Sequence, residues 1–154
     1  ARRCCRPCTD ASADGAGGEA ARAGLGAPSA APGCDPAGGG WVAAHAAAIR
    51  AGLEQAAGAG RPRLLFSAHG LPRKIVERGD PYVWQVEQTA AAVATALEPD
   101  FPDLDWTVCY QSRIGPLEWV GPSTEAALAR AGRDRVPVVV APIAFVPEHS
   151  ATLV

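Results

Sequence analysis

Methionine is absent from the 154 residues, and aromatic side chains make up only 6% of them. With no Met there is no initiator, and the expectation is a piece of a longer protein. Net charge is also nearly absent: 14 Lys+Arg against 16 Asp+Glu leave a formal −2. That balance argues against a polycationic nucleic-acid binder and against a basic helix lying on a membrane surface. No apolar run approaches the ~20 residues of a membrane-spanning helix. A secretory leader is not expected, because the opening arginines are followed by Cys, Asp and Gly instead of an apolar stretch. The expected compartment is the cytoplasm. His-Glu-x-x-His, Gly-x-x-x-x-Gly-Lys-Ser/Thr and Gly-x-Ser-x-Gly are all missing. A zincin protease, a P-loop phosphate transferase and an α/β-hydrolase therefore have no support.

Large apolar side chains are scarce from Ala1 to Gly40, where Leu25 is the only one. Such a stretch has little to bury against an ordering cost of roughly 1–2 kcal/mol per residue, and 1–40 reads as a disordered segment. Its arginines (Arg2, Arg3, Arg6, Arg22) match its acids (Asp10, Asp14, Glu19, Asp35), so it is not a charged tail. Cys4, Cys5, Cys8 and Cys34 lie here, and Cys5-x-x-Cys8 has the spacing of half a zinc or iron–sulfur knuckle. No second pair completes it, and a cluster on Cys4, Cys5 and Cys8 is not expected. Cys109 ends an apolar run and reads as a small buried residue.

The four Trp, two Tyr and three Phe all fall within 41–154, which must hold the core. Trp41 to Ala57 carries Val42, Ala46, Ile49 and Leu53 at helical spacing and stops at Gly58 and Gly60. His45, on that helix, reads as an edge histidine. Pro62 to Ala68 is a continuous apolar run of strand length, as suits a parallel strand covered on both faces. After a basic loop (Arg73, Lys74, Arg78), Asp80-Pro81 offers a cap and a first-turn proline for a helix to Leu97. A strand from about Asp105 to Tyr110, a helix from Ser123 to Arg130 stopped near Gly132, and a strand from Val136 to Val146 follow. Helix and strand alternate throughout, which predicts an α/β fold with a parallel sheet and crossover helices.

Open α/β sheets bind ligands beyond the carboxyl ends of their strands. Polar residues collect there: Ser67, Ala68 and His69; Gln111, Ser112 and Arg113; Glu148, His149 and Ser150. Imidazole is the commonest metal ligand and a proton acceptor near neutral pH. His69 and His149, with Glu148 as an oxygen ligand or base, make a mixed set suited to a divalent first-row metal. The alternative is two polar loops that happen to carry histidines.

At this point the residues become recognisable. Phe66-Ser-Ala-His-Gly-Leu-Pro72, Gly79-Asp-Pro-Tyr82, Trp84-Gln-Val-Glu-Gln-Thr89, Cys109-Tyr-Gln-Ser-Arg-Ile-Gly-Pro-Leu-Glu-Trp119 and Pro142-Ile-Ala-Phe-Val146 with Glu148-His149-Ser150 together resemble the ferrochelatase family, in its order and spacing. The likeness covers about 41–154 and only the second half of the family's fold, so 41–154 is expected to be a partial C-terminal α/β domain, a Rossmann-like half. It implies insertion of ferrous iron into a porphyrin such as protoporphyrin IX or coproporphyrin, with release of two pyrrole protons. Porphyrin and iron are then the partners, and no cofactor beyond the substrate iron is expected. His69 and His149 fall on the family's metal-ligand or proton-acceptor positions, and Glu148 on the acid before the second. Tyr82, Trp84 and Trp119 are candidates to line the porphyrin cleft, and Arg113 and Arg73 to meet its propionates. Ala151 stands where the family carries a carboxylate, and Pro147 where a small hydroxyl residue is usual. The resemblance therefore implies an incomplete chain of little or no activity. A non-catalytic tetrapyrrole- or metal-binding remnant and a sirohydrochlorin chelatase are the other readings.

Overall fold

A computed structural model describes residues 39–113 and 115–144. Three parallel strands form its sheet: β1 (Arg63–His69), β2 (Asp105–Gln111) and β3 (Val138–Pro142), in the order β2-β1-β3. Helix α1 (Gly39–Ala57) precedes β1; α2 (Arg73–Glu77) and α3 (Tyr82–Leu97) connect β1 to β2; α4 (Thr124–Asp134) connects β2 to β3. The α/β fold with a parallel sheet and crossover helices is the one the apolar pattern predicts.

β1 is the centre of the domain. Leu64, Leu65, Phe66, Ser67 and Ala68 are all buried in succession, as expected of a strand with neighbours on both edges and helices on both faces. Its alternate residues serve different layers. Leu64, Phe66 and Ala68 join Ala46, Ile49 and Leu53 of α1 and Val86, Ala90, Val93 and Leu97 of α3 in the larger core. Leu65 turns to the other face, against Cys109 and Ala127 of α4. Burial of five aliphatic side chains of α1 and α3 at 0–5% exposure (Ile49, Leu53, Val86, Val93, Leu97) contributes roughly 1.5–3 kcal/mol each.

Arg63 fastens the amino ends of the layers. Its guanidinium lies 2.7 Å from Asp105 at the start of β2 and 2.7 Å from Asp134 at the end of α4, and its side chain is only 12% exposed. These hydrogen bonds, Asp134's first, raise the Arg63 pKa above its usual value.

Five departures from the sequence reading have a local reason. α1 starts at Gly39, inside the stretch 1–40 read as disordered; residues 1–38, with Cys4, Cys5, Cys8 and Cys34, lie outside the described residues. The basic loop holds a short helix, α2, because Pro72 enters it extended (φ −58°, ψ 134°) and its carbonyl accepts the Ile75 N–H at 2.9 Å. α3 begins one residue after Pro81, with Asp80 Oδ1 accepting the Tyr82 N–H at 2.9 Å. α4 passes through Gly132 to Asp134, since Ala131 is buried at 0% and Asp134 is held by Arg63; Arg135, at φ 54°, turns the chain instead. β3 ends at Pro142, with Ala144 at φ 68° breaking the extended run.

Two outcomes test this packing. Phe66→Ala is expected to lower the unfolding free energy by about 3–5 kcal/mol in urea titrations, because it opens a hole at the middle of the core. The second concerns acid. In the folded chain Asp134 is held below its ordinary value of 3.8, first by the Arg63 hydrogen bond and then by the charges of Arg63, Arg130 and Arg133. The unfolded chain loses that depression and binds the proton more readily. The pair's contribution is therefore complete above about pH 5 and is lost as pH falls through 3.8 and below. Asp134→Asn should flatten the acid limb of a melting-temperature profile taken from neutral pH downward.

Candidate functional site

The chain adds β2 on one side of β1 and then returns to add β3 on the other. The reversal opens a crevice beyond the carboxyl ends of β1 and β3, the place where open parallel sheets take ligands. His69, the last residue of β1, is exposed at that end and lies opposite Gln111, the last residue of β2. By the two-residue period of a strand, Ser67 and His69 share the face on which α4 packs. The segment that continues β3 carries Glu148, His149 and Ser150. These three, with Pro147 and Ala151, lie outside the described residues.

Below His69 on that face, Ser67, Cys109 and Thr124 join β1, β2 and the start of α4. Ser67 Oγ lies 3.1 Å from Thr124 Oγ1, Thr124 Oγ1 donates to Cys109 Sγ at 3.4 Å, and Cys109 Sγ donates to the Phe66 carbonyl at 3.5 Å. Burial pushes the Cys109 thiol up, and the hydrogen bonds from Thr124 and Ser67 pull only partly against it. The thiol therefore stays protonated at neutral pH and serves as a packing and hydrogen-bonding group, not as a nucleophile or metal ligand.

The loops after β1 and β2 are zipped together. Gly70 N–H donates to the Gln111 carbonyl at 2.8 Å, Arg73 N–H to the Glu118 carbonyl at 2.8 Å, and Val120 N–H to the Leu71 carbonyl at 3.0 Å. Pro72 and Trp119 form an antiparallel bridge. Trp119 and Arg113 both close over Gly70: a Cβ added there would meet the Trp119 ring and Arg113 Cγ at 3.4 Å, and the Gln111 carbonyl oxygen at 2.8 Å. Glycine directly after the strand-end histidine is thus a requirement of close backbone approach.

The remaining candidates divide. Arg113 is exposed and lines a small polar cavity of about 90 Å³ with Gln111, Ser112, Ser123 and Glu125. Arg73 is engaged with Glu118 at 3.3 Å. Trp84, in the first turn of α3, is 56% exposed. Tyr82 is half-buried and packs against the larger core; burial pushes its phenol up, and the nearby His69 backbone partly offsets the push. Tyr110 is buried, and desolvation first, then Glu87, Tyr82 and Cys109, push its phenol up to about 12. Among the described residues neither Tyr110 Oη nor Trp119 Nε1 has a hydrogen-bond partner. No group of three or more His, Cys, Asp and Glu among the described residues is placed to hold a metal. His45 is remote in chain and role: its Nδ1 lies 3.1 Å from the Trp41 carbonyl and its ring packs on Trp41 at 4.3 Å.

Two larger depressions lie elsewhere. One of about 280 Å³ is lined by Ala91, Phe101, Leu104 and Trp106, and one of about 260 Å³ by Arg63, Asp105, Ala127 and Arg130. Both involve the amino-terminal half of β2 and neither reaches a strand-end histidine. No helix among the described residues is long and apolar enough to cross a membrane.

Gly70 was not legible as part of this edge. It directly follows the histidine, which is the one sequence signal that marks it. Gly70→Ala is expected to cost about 1–3 kcal/mol in thermal or urea unfolding, since the carbonyl it would strike is backbone and must shift. A melting temperature equal to the parent's would contradict the zipped-loop geometry.

The sequence model of the family described as Ferrochelatase matches residues 36–154. The chain is 56% identical over 122 residues to the Ferrochelatase of Caulobacter vibrioides (strain NA1000 / CB15N), covering 79% of this chain and 34% of that one. It is 53% identical over 121 residues to the Ferrochelatase of Phenylobacterium zucineum (strain HLK1), with 79% and 34% covered. Against the Ferrochelatase of Wolbachia sp. subsp. Brugia malayi (strain TRS) the figures are 51% over 114 residues, 74% and 33%. The chain spans about a third of the length of these curated relatives.

Proposed function

The chain belongs to the ferrochelatase family, and from that premise we propose that it serves the insertion of ferrous iron into a dicarboxylate porphyrin, protoporphyrin IX or coproporphyrin, in haem biosynthesis. Its compartment on this reading is the cytoplasm. The observation that carries the proposal is His69: an exposed imidazole on the last residue of the central strand, beside the crevice where the sheet reverses its strand order.

The reaction replaces two pyrrole protons by one divalent cation. It needs a ligand that takes the metal as it sheds water, a base for each proton, and a wall that holds the macrocycle. His69 is proposed to receive the iron or a pyrrole proton at the end of β1. His149 and Glu148, which follow β3 in the chain, are proposed to complete the site. Trp119, pinned over Gly70, and the exposed Trp84 are proposed to face the porphyrin. Arg113, exposed on the polar cavity after β2, is proposed for a propionate; Arg73 is the weaker choice because Glu118 already engages it. Iron enters this scheme as substrate.

Ala151 favours a second, non-catalytic reading, since a positioned carboxylate contributes about 10²–10⁴-fold to proton transfer. Anaerobic Fe²⁺ insertion into protoporphyrin IX, with Zn²⁺ as a parallel probe, is followed by absorbance. The parent chain is expected to turn over far below Ala151→Glu, which should gain about 10²-fold or more, and His69→Ala should abolish both. Equal rates for all three would leave the chain a tetrapyrrole- or metal-binding remnant.

A further inference from the structure

Helix α4 is fastened to the sheet at both ends. Asp134, in its last turn, is held by Arg63 at 2.7 Å. Thr124, its first residue, reaches Ser67 Oγ of β1 at 3.1 Å and Cys109 Sγ of β2 at 3.4 Å. Among the described residues these are the only side-chain hydrogen bonds from the first turn of α4 to the sheet, since the Ser123 hydroxyl caps the Ala126 N–H of its own helix. Proton accounting gives the contact a direction. Thr124 has one O–H and donates it to Cys109, so the Ser67 hydroxyl donates to Thr124 Oγ1, and the Cys109 S–H donates to the Phe66 carbonyl at 3.5 Å. Every proton has an acceptor. A serine only 3% exposed in the middle of an apolar strand is costly without such a partner. Ser67 is thus explained by α4 and not by β1.

This contact bears on the polar cavity after β2. One wall of that cavity is the chain leaving β2, Gln111 to Arg113, and the other is Ser123, Thr124 and Glu125. Residues 114–122 separate the two walls in the chain, so their spacing is set by contacts and not by local geometry. The Tyr110 N–H holds the Pro122 carbonyl at 2.9 Å just ahead of the helix, and Thr124 holds the helix itself. Glu125 lines the cavity beside Thr124, and among the described residues no ion pair joins it to Arg113. A helix end free to shift would let the two charges close on each other and withdraw Arg113 from any other anion. We propose that Thr124 is a positioning residue, its hydroxyl latching the first turn of α4 to β1 and β2 and so keeping the Arg113 guanidinium open for a substrate carboxylate. The carboxylate rests on the functional reading above; the latch stands apart from it.

Thr124→Val keeps the shape and removes the hydroxyl, whereas Thr124→Ser keeps the hydroxyl. Site-resolved amide hydrogen exchange in the 154-residue chain reads the latch. The Ala127 N–H, bonded to the Ser123 carbonyl at 3.0 Å, should accelerate in Thr124→Val about tenfold more than the amides of Leu64 to Phe66, which report global opening. Acceleration no greater at Ala127 than in β1 would overturn the latch. Fluorescence quenching by protoporphyrin IX and by its dimethyl ester, which offers no carboxylate, reads the consequence. The parent chain is expected to bind the diacid severalfold more tightly than the ester. Arg113→Ala and Thr124→Val should both lose that preference, and Thr124→Ser should retain it. A Thr124→Val chain that keeps the preference while Arg113→Ala loses it would overturn the positioning role. A parent without the preference, or an Arg113→Ala chain that keeps it, contradicts the functional reading of Arg113; the carboxylate part of the proposal then falls, and the exchange comparison decides the latch.

Discussion

The parallel register that holds β1 between β2 and β3 governs every other feature of this domain. It buries five consecutive residues of β1, which is possible only because each edge has a partner strand and each face a helical layer. It sets Arg63 beside Asp105 at one end and His69 beside Gln111 at the other. A slip of one residue would turn Phe66 out of the larger core and exchange the faces of Ser67 and Ala68, with loss of the Ser67–Thr124 contact. The ion pairs and the candidate site thereby fall at opposite ends of one strand.

The two ends are built differently. Salt bridges to a mostly covered guanidinium close the amino end. At the carboxyl end the closure is made by backbone: the Gly70 to Gln111 bond, the Pro72–Trp119 bridge and the Val120 to Leu71 bond. Backbone contacts fix loops closely while leaving side chains such as His69 and Arg113 free to face a ligand. The Ser67–Thr124–Cys109 contacts sit directly beneath this edge and tie α4 to it.

Much of this was written plainly in the residues. Leu64 to Ala68 is apolar without alternation, and such a run has few fates in a chain that alternates strands with amphipathic helices. Cys109 closes a similar run and is buried as expected. What the sequence hid were places where a distant group overrides a local signal. Gly132 reads as a helix stop, yet burial of Ala131 and the grip of Arg63 on Asp134 carry α4 past it. The charges of Arg73, Lys74 and Glu77 disguise α2, a five-residue helix with no buried residue and hence no apolar stripe to reveal it. The strand-end positions of His69, Gln111 and Arg113 were legible; which backbone groups hold them there was not.

The central proposal is that His69 and His149 serve one metal-handling site beyond the carboxyl end of β1. The chain has three histidines, and His45, occupied with Trp41, is an internal control. Imidazole resonances recorded by NMR during titration with Zn²⁺ test the claim directly. The signals of His69 and His149 should shift together to a shared endpoint at one equivalent while His45 stays unmoved. Independent endpoints for the two, or a response from His45 equal to theirs, would contradict it.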